Sequence, residues 1–354
     1  MKKVLMKGNE ALAEGALIAG CQAYFGYPIT PSSEIAEYMA RKMPKIPGSV
    51  FFQAESELAA INMVYAGSSI GKRVMTASSG PGISLKQEGI SFLAEGELPC
   101  LVVNISRGGP GLGGIQPAQS DYFQATRGGG HGDYRLIVLA PSGVQEMMDF
   151  AILAFELADQ YRTPVMMMGE GTLGQMMEPI VMREPVGKQV EKPWALTGCA
   201  GREPNIMNTL HLDPGFLETR NQTLMQKYQT ITANEKRAES FMTEDAELLI
   251  VAYGLLARVV KKAVVEARQQ GYKVGMIRPI TLWPFPYEEI QSTLSSVRRV
   301  MSIELSMGQM IEDVRLAVEG QVPVEFYGRI ATIPNPEELI AAVVEVAKKE
   351  AVRV

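Results

Sequence analysis

The sequence predicts an α/β protein whose strands form mostly parallel sheets. The main observation is that short apolar runs of strand length alternate with segments of helical periodicity along most of the chain. The composition agrees, because 46% hydrophobic and 21% charged residues are typical of a globular protein. A length of 354 residues further indicates two domains of ordinary size.

The first run of alternating elements, residues 1–180, is predicted to form one layered α/β domain. Asn9 is expected to cap the first helix, and a serine followed by Glu34 is expected to open the second. The third helix is apolar almost all round, which predicts that it is buried. The predicted strands are Tyr24–Pro28, Val50–Ala54, Arg73–Ser78, Cys100–Ile105, Leu136–Ala140 and Pro164–Met168, and the predicted helices are Glu10–Gln22, Glu34–Met43, Ser56–Ala66, Ile83–Ala94 and Val144–Tyr161.

The composition changes between residues 181 and 243. This segment contains four prolines and polar stretches without a clear period, which predicts an extended connector that wraps a surface or a partner. From 244 to 354 the alternation resumes, so a smaller second α/β domain is predicted. Its predicted strands are Leu248–Tyr253, Lys273–Ile277, Val297–Ile303 and Val322–Phe326, and its predicted helices are Leu256–Gln270 and Glu337–Val352.

The counts of charged and reactive residues exclude several functional classes. Lys and Arg number 34 against 39 Asp and Glu, a net charge of −5, and basic runs are absent, so nucleic acid is not an expected partner. Three dispersed cysteines and two histidines do not make an iron–sulfur or zinc site, so no metal site is expected in this chain. The few cysteines also indicate the reducing cytoplasm. Neither a membrane-spanning apolar run nor a signal-peptide core is present.

Two glycine-rich patterns match nucleotide-binding motifs only in part. Gly109–Gly114 matches GxGxxG, but Pro117 follows, and no second strand with an acidic residue stands about twenty positions later, as a dinucleotide site requires. Gly67–Arg73 lacks the glycine spacing and the terminal Ser or Thr of a P-loop. The first is interpreted as a mobile loop and the second as a turn. A nicotinamide-dependent oxidoreductase therefore remains an alternative that rests on the GxGxxG match alone.

Four segments place polar side chains where predicted strands end and helices begin, the edge at which open α/β sheets bind ligands. Glu57 lies in the first turn of the third helix, one residue from its apolar segment, and a partly buried carboxyl has a raised pKa and can donate a proton near neutrality. Arg107 ends an apolar strand before a glycine-rich loop, which suits a bidentate contact with a carboxylate. The four segments are Gly26–Glu34, Gln53–Ala60, Thr76–Gly82 and Leu98–Gly109.

In this order and spacing, the four segments resemble the alpha subunit, or pyrimidine-binding module, of the 2-oxoacid:ferredoxin oxidoreductases. The resemblance covers the whole chain and implies a thiamine-diphosphate-enzyme pyrimidine-binding domain plus a transketolase-C-terminal-like α/β domain. The opening Lys7–Ala11 and the chain length are most similar to the branched-chain 2-oxoisovalerate type. The most specific agreements are Tyr27-Pro28-Ile29-Thr30-Pro31-Ser32, Glu55-Ser56-Glu57 before a helix of small residues, and Leu98-Pro99-Cys100 on the strand that Arg107 ends.

The resemblance implies a thiamine-diphosphate enzyme of anaerobic metabolism that converts a 2-oxoacid and CoA to acyl-CoA and CO2 while ferredoxin is reduced. Glu57 would hydrogen-bond N1′ of the aminopyrimidine and so promote loss of the C2 proton of the thiazolium, a general acid–base role. Thr30 and Arg107 would bind the substrate carboxylate. By the same resemblance, further cofactor contacts would come from Tyr27, Pro28, Ile29, Ser79 and Gly80.

The resemblance also implies that the rest of the active site lies on other subunits. Enzymes of this class hold the diphosphate and Mg²⁺ with GDG followed by an Asn, whereas here Gly132-Asp133 precedes Tyr134, and no Asn occurs between Asn104 and Asn205. A cluster-binding cysteine array is absent too. The implied assembly is a hetero-oligomer with a beta subunit that carries the diphosphate site, with gamma and ferredoxin-like subunits that carry iron–sulfur clusters, and with ferredoxin as acceptor.

Several alternatives stay open at the level of the sequence. The substrate alternatives are 2-oxoglutarate, pyruvate and an aryl pyruvate. A non-catalytic scaffold subunit of the same complex is a further alternative, and such a scaffold has no need of a carboxylate at Glu57. Glu55 is the alternative carboxylate if the motif register differs.

Overall fold

The computed structural model describes residues 3–185 and 190–349. It confirms the α/β fold class, with a seven-stranded sheet, a five-stranded sheet and a two-stranded ribbon. The strands are β1 Lys3–Lys7, β2 Ala23–Gly26, β3 Val50–Gln53, β4 Val74–Ser78, β5 Cys100–Ser106, β6 Ile137–Leu139, β7 Pro164–Glu170, β8 Met177–Val181, β9 Ala238–Phe241, β10 Leu248–Val251, β11 Val274–Pro279, β12 Thr281–Trp283, β13 Arg299–Glu304 and β14 Val324–Gly328. The helices are α1 Gly8–Ile18, α2 Ser33–Lys42, α3 Glu57–Ser69, α4 Gly80–Glu95, α5 Tyr122–Arg127, α6 Val144–Tyr161, α7 Gly171–Gln175, α8 Pro214–Asn234, α9 Gly254–Gln269, α10 Tyr287–Gln291, α11 Met310–Val318 and α12 Pro336–Ala347.

The seven-stranded sheet forms the larger core. Its strand order is β12-β6-β7-β5-β4-β2-β3, and every strand except β12 runs parallel to its neighbours. β4, β5 and β7 are buried along their whole length, which is why the sequence shows them as continuous apolar runs. Since the carboxyl ends of parallel strands meet at one edge, the residues that follow these strands lie side by side.

The five-stranded sheet interlocks with the first half of the chain. Its order is β14-β13-β10-β11-β9, and only β9 is antiparallel. Strand β12 directly follows β11 of this sheet in the chain, but it belongs to the seven-stranded sheet, where it pairs antiparallel with β6. The halves also meet at the buried Asp313 of α11, whose carboxylate accepts hydrogen bonds from Tyr122 of α5 at 2.6 Å and from Tyr287 at 2.5 Å. A shared strand and a buried polar contact thus join the two halves.

The prediction that Asn9 caps the first helix was wrong. The helix begins at Gly8, so Asn9 lies inside it and is fully buried. Its side-chain amide donates to the backbone carbonyl of Pro31 at 2.8 Å and to the carboxylate of Glu34 at 2.9 Å. An amide that satisfies a distant turn is not available for capping, and sequence spacing does not reveal such a long-range partner.

The prediction that the third helix is buried all round was also wrong. Helix α3 buries Ala60, Ile61 and Val64, but Leu58 is 48% exposed and Tyr65 is half-buried. An apolar composition therefore does not distinguish a core-facing surface from an apolar surface that this chain leaves open.

Residues 181–243 are not extended throughout, because they contain the 21-residue helix α8. Asp213 caps this helix by accepting a hydrogen bond from the Phe216 N–H at 2.6 Å, and Pro214 occupies its first turn. The helix buries only Leu224, Tyr228 and Ile231, so its apolar period was too sparse to predict a helix. Residues 186–189 of this segment lie outside the described residues, and the division into domains at 180 and 243 stays a prediction.

Helix α6 is observed with its predicted bounds, and the other predicted elements are observed with shifted ends. The closing helix, predicted over residues 337–352, is α12, and its predicted residues 350–352 lie outside the described ranges. Cys21 and Cys100 are buried. Within residues 3–185 and 190–349, no helix is both long and apolar enough to cross a membrane.

Candidate active site

The four segments singled out in the sequence meet at one edge of the seven-stranded sheet. They follow or contain the ends of β3, β2, β4 and β5, which are consecutive neighbours in the sheet. The parallel register places Ser78, the last residue of β4, beside Asn104 of β5. This edge therefore brings Glu57, Thr30, Ser79 and Arg107 into one region.

Glu57 is a buried carboxylate at the start of a helix. Ser56 caps α3 by accepting a hydrogen bond from the Ala59 N–H at 3.1 Å, and Glu57 is the first helical residue, where the helix dipole favours a negative charge. The side chain is only 3% exposed, whereas neighbouring Glu55 is exposed. Ser78 Oγ donates to Glu57 Oε1 at 2.5 Å. The geometry thus favours Glu57 over Glu55 as the functional carboxylate.

The second partner of Glu57 is Lys86, which the sequence analysis missed. Its ammonium group contacts Glu57 Oε2, and its side chain has no exposed surface. Burial lowers the pKa of Lys86 from its ordinary 10.5 to about 7. A signal was present in the sequence, since Lys86 falls on the inward-facing stripe of α4 that includes Ile83 and Ile90.

Gly82 leaves room for the contact between Ser78 and Glu57, because it has no side chain. A Cβ atom on Gly82 would overlap Ser78 Oγ and Glu57 Oε1, and it would lie 2.9 Å from Glu57 Cδ. Real Cβ atoms do not approach other atoms so closely. Gly82 is therefore required for the observed contact between Ser78 and the carboxylate.

Arg107 is held at the edge by backbone carbonyls. Its Nη1 donates to Thr30 O at 2.8 Å, and its Nη2 donates to Leu112 O at 3.0 Å. The residue is 8% exposed, and its buried Nε has no hydrogen-bond partner among the described residues. Since a guanidinium has five N–H donors, three remain to bind an anion. The structure thus places Thr30 and Arg107 together, through the Thr30 carbonyl.

The turn that contains Thr30 is held by hydrogen bonds on one side and is exposed on the other. Ser32 Oγ donates to Ile29 O at 2.9 Å, and the Asn9 amide holds Pro31 from beneath. Tyr27, Pro28 and Thr30 are exposed, and Ile29 is half-buried. Four of the predicted contact residues thus line the open side of this turn.

Polar atoms without partners lie at this edge and, in the case of Thr76, two residues before the end of β4. Among the described residues, the buried Thr76 Oγ1, Ser79 Oγ and Asn104 Oδ1 make no hydrogen bond. Such atoms cost free energy unless a ligand or water binds them. Ser79 precedes α4 without capping it, and Gly80 begins the helix with φ +36°. A polar ligand at this edge would find donors and acceptors already in place.

Asp121 adds a carboxylate beside Arg107 that the sequence analysis did not identify. It accepts hydrogen bonds from Asn104 Nδ2 at 2.9 Å and Ser106 Oγ at 3.3 Å. Burial raises the pKa of Asp121, and the hydrogen bonds from these two side chains partly oppose the rise. Its position on the segment that follows the glycine-rich loop gave no helical or strand pattern from which to predict it.

The glycine-rich loop does not open a helix. Its Gly108 N–H donates to Gln116 O at 3.0 Å, and its Gly114 N–H donates to Gly108 O at 2.8 Å. Leu112 and Ile115 are 79% and 58% exposed. The loop thus folds back on itself beside Arg107, which agrees with the interpretation of Gly109–Gly114 as a loop instead of a dinucleotide motif.

A second buried carboxylate lies behind the site. Glu170, at the end of β7, accepts a hydrogen bond from Gln119 Nε2 at 2.5 Å and one from the Leu255 N–H at 3.3 Å. Burial raises the pKa of Glu170 to about 7. The following residue, Gly171, packs against the ring of Pro31. Glu170 therefore links the second half of the chain to the turn that carries Thr30.

Comparison with known proteins places this geometry in a family. Residues 14–243 match the family profile described as "Pyruvate flavodoxin/ferredoxin oxidoreductase, thiamine diP-bdg". Residues 246–339 match "Pyruvate:ferredoxin oxidoreductase core domain II". The two profiles together span both sheets of the structure.

Curated relatives cover nearly the whole chain. A ketoisovalerate oxidoreductase subunit VorB of Methanothermobacter marburgensis is 52% identical over 318 residues, which is 90% of each chain. A 2-oxoglutarate synthase subunit KorA of Methanocaldococcus jannaschii is 38% identical over 367 residues, which is 97% of this chain and 100% of the relative.

Two solved structures share the fold. The 2-oxoglutarate:ferredoxin oxidoreductase of Magnetococcus marinus, with 2-oxoglutarate, coenzyme A and succinyl-CoA bound, superposes with a TM-score of 0.88 at 28% identity. This chain is covered to 98%, and it spans 65% of that longer chain. A split-gene transketolase in an inactive beta4 tetramer superposes with a TM-score of 0.59 at 14% identity, a likeness of fold alone.

Proposed function

The chain belongs to the pyruvate flavodoxin/ferredoxin oxidoreductase family, as an alpha-type subunit of the branched-chain type, and from that membership we propose its substrate and the roles of its site residues. The substrate is 2-oxoisovalerate (3-methyl-2-oxobutanoate), which is oxidatively decarboxylated with CoA to acyl-CoA and CO2. Ferredoxin accepts the electrons. The chain supplies half of a composite active site, and the enzyme is active only with its partner subunits.

One observation carries this proposal: Glu57 is a buried carboxylate with two protein partners at the carboxyl edge of the parallel sheet. Thiamine diphosphate, when bound, supplies a carbon nucleophile at C2 and an electron sink for decarboxylation. Glu57 holds the proton at N1′ of the aminopyrimidine. Burial makes this contact strong, because water does not compete for the carboxylate.

The residues present fit such a cofactor. The unpartnered Ser79 Oγ offers a hydrogen bond at the end of β4, and the unpartnered Thr76 Oγ1 lies two residues before that end. Ser79 and Gly80, which follow β4, would hold the aminopyrimidine together with Tyr27, Pro28 and Ile29, which follow β2. A flat ring suits this site, because Gly80 carries no side chain and a Cβ there would come no closer than 3.6 Å to another residue.

Arg107 and Thr30 bind the carboxylate of the 2-oxoacid. The guanidinium is fixed by two carbonyls and keeps three N–H donors, so it binds an anion without losing further side-chain freedom. A charge-assisted hydrogen bond of this kind contributes about 1.5–3 kcal/mol.

A branched aliphatic substrate is favoured over 2-oxoglutarate by two observations. The branched-chain relative is more similar than the 2-oxoglutarate relative, at 52% against 38% identity. Two exposed side chains of the loop beside Arg107 are apolar, those of Leu112 and Ile115, and a second substrate carboxylate would need a cation there. The solved neighbour with 2-oxoglutarate bound keeps that acid as a candidate substrate, and the family descriptions keep pyruvate.

The remaining chemistry is assigned to partner subunits. The chain lacks the GDG…N motif for Mg²⁺ and the diphosphate, and its three cysteines lie apart. Apolar side chains stay exposed near the site, as expected for a surface that a partner covers; they include Tyr27, Phe52, Leu58 and Leu85. We therefore assign the diphosphate and Mg²⁺ to a beta subunit and the iron–sulfur clusters to gamma and ferredoxin-like subunits, all in the cytoplasm.

A non-catalytic scaffold is disfavoured by Glu57 itself. Burying a carboxylate and an ammonium together is often no more stable than an apolar pair of the same volume. A subunit that served only to hold partners would gain nothing from the Glu57–Lys86 pair. The pair is expected in a chain that handles a proton.

The test uses the complex reconstituted from all subunits. Glu57→Gln should abolish deuterium exchange at C2 of bound thiamine diphosphate and lower ferredoxin reduction by roughly 10²–10⁴-fold, while the complex still assembles. Glu55→Gln is the matched control and should exchange normally. Undiminished exchange in Glu57→Gln would refute the assignment. A substrate panel with 2-oxoisovalerate, 2-oxoglutarate and pyruvate decides the acid by the ratio of kcat/KM values.

A further inference from the structure

Lys86 is a buried cation whose presence stability does not explain. Its side chain is fully buried in the middle of α4, on a face shared with Ile83 and Ile90. An ammonium in such surroundings costs free energy unless it is paired, and the pair with Glu57 returns little more than an apolar side chain would. The position therefore calls for a chemical role.

The two oxygens of Glu57 are held by donors of different kinds. The Ser78 hydroxyl donates a hydrogen bond to Oε1. A serine hydroxyl does not ionise near neutrality, so this proton stays on Ser78. Lys86 contacts Oε2 with an ammonium group. Because burial lowers the pKa of Lys86 to about 7, this ammonium can release a proton in the physiological range. One side of Glu57 is thus a fixed hydrogen bond and the other is a source of protons.

On the basis of the proposed function, we propose that Lys86 is the proton reservoir behind Glu57, which delivers a proton to the bound aminopyrimidine and receives one from the Lys86 ammonium. An N–H bond of Lys86 Nζ breaks as an O–H bond forms at Glu57, and the proton from Glu57 forms an N–H bond with the ring nitrogen. Lys86 ends as a neutral amine, Glu57 ends as a carboxylate, and no electron is transferred. Lys86 is a positioning residue, since it acts through Glu57.

Charge repulsion drives the transfer in this direction. An ammonium and a protonated ring on the same carboxylate would place two cations around one anion in a buried site, and this disfavours one of the two charges. Other ionisable groups lie farther along α4. The ionisable side chains of other elements that contact α4 include Glu57 at Lys86, Arg107 at Gly80, Tyr134 at Gln87, and His211 and Arg220 at Glu95.

The wild-type complex gives the first test, which counts protons taken up when thiamine diphosphate and Mg²⁺ bind. Titration calorimetry in buffers of different ionisation enthalpy measures this count without turnover. With Lys86 as the source, the site-specific uptake should be near zero at about pH 6 and rise to about one proton at about pH 8, as the lysine empties near its pKa. Uptake of about one proton at both values would show that Lys86 keeps its charge and would overturn the proposal.

Variants separate the site from protons that the diphosphate exchanges. Lys86→Met should remove the rise in proton uptake between about pH 6 and about pH 8. Lys86→Gln still donates a hydrogen bond but does not titrate, so it should also remove this rise and replaces the first variant if that one misfolds. The matched control is Lys192→Met. Lys192 contacts the buried Asp159 at 2.7 Å, also has its pKa lowered by burial, and lies toward the other end of β4 beside Arg73. It should keep the wild-type profile.

The outcomes distinguish this inference from the proposed function. If the wild-type complex does not bind thiamine diphosphate, the proposed function fails. If it binds but the proton profile is the same in Lys86→Met and wild type, only the reservoir fails. Loss of the rise in proton uptake together with slower C2 exchange in both Lys86 variants supports it.

Discussion

For Gly82→Ala, helix propensity predicts a gain in stability, whereas the geometry of the site predicts a loss. In the first turn of a helix, replacing glycine by alanine ordinarily stabilises by about 0.5–1 kcal/mol. Here the added Cβ would overlap Ser78 Oγ and Glu57 Oε1 and lie 2.9 Å from Glu57 Cδ. The methyl group must displace the carboxylate or the helix start. Geometry therefore predicts a loss where propensity predicts a gain.

The magnitude follows from the bond that is displaced. The Ser78 hydroxyl hydrogen-bonds an ionised carboxylate at 2.5 Å, and such charge-assisted bonds contribute about 1.5–3 kcal/mol. If Glu57 leaves its position, the cofactor loses a contact of similar strength. We expect the Kd of thiamine diphosphate in the reconstituted complex to rise roughly 10- to 150-fold, as measured by calorimetry, and C2 exchange to slow with it.

Gly215→Ala is the matched control. Gly215 also follows a proline in the first turn of a helix, α8, and a Cβ there would meet only Asp213 Oδ1 at 3.4 Å, an ordinary contact. This variant should keep the wild-type Kd and gain stability of up to about 1 kcal/mol. Gly82→Ala with wild-type affinity and raised stability would refute the packing argument and weaken the assignment of Glu57.

Three further outcomes are expected. Arg107→Ala should raise KM for the 2-oxoacid roughly 10- to 100-fold with little change in cofactor Kd; the reverse pattern would reassign Arg107 to the cofactor. Asp313→Ala should lower the free energy of unfolding in urea by about 3 kcal/mol, because it removes a buried acceptor shared by both halves, whereas exposed Glu312→Ala should change it by less than about 0.5 kcal/mol. For Glu170, burial raises the pKa from 4.5 to about 7, so its contribution is fully present below about pH 4.5 and is lost as the pH rises through about 7, by up to about 3 kcal/mol. Glu170→Gln should remove this loss and be more stable than wild type at about pH 8 in thermal unfolding.

The parallel strands and their shared edge could be predicted because their signals are local. β4, β5 and β7 are buried along their length, so each appears as an apolar run, and a parallel sheet then fixes where Glu57 and Arg107 stand. The long helix α6 was predicted with its observed bounds, since an 18-residue amphipathic pattern leaves little ambiguity.

The features that were missed depend on partners distant in sequence. Lys86 is 29 residues from Glu57, and only the packing of α4 against α3 joins them. Asn9 contacts a carbonyl 22 residues away. Strand β12 pairs with β6 and not with the strands that are near it in sequence. It has only three residues, which is too short a pattern to predict its partner. Local periodicity contains none of this information.

The polar edge lowers the stability of the chain and raises its capacity to bind. Ser79 Oγ, Asn104 Oδ1 and Arg107 Nε are buried without partners in the part of the chain that the structure describes, and each such atom costs about 1–3 kcal/mol. That desolvation is complete before a ligand arrives, and the rotamers of Glu57 and Arg107 are already fixed by Ser78, Lys86 and two carbonyls. A ligand that supplies the missing partners therefore binds without bearing these costs again. On the proposed function, the unpaired atoms that stability alone would remove are thus the ones that would orient an aminopyrimidine and a carboxylate.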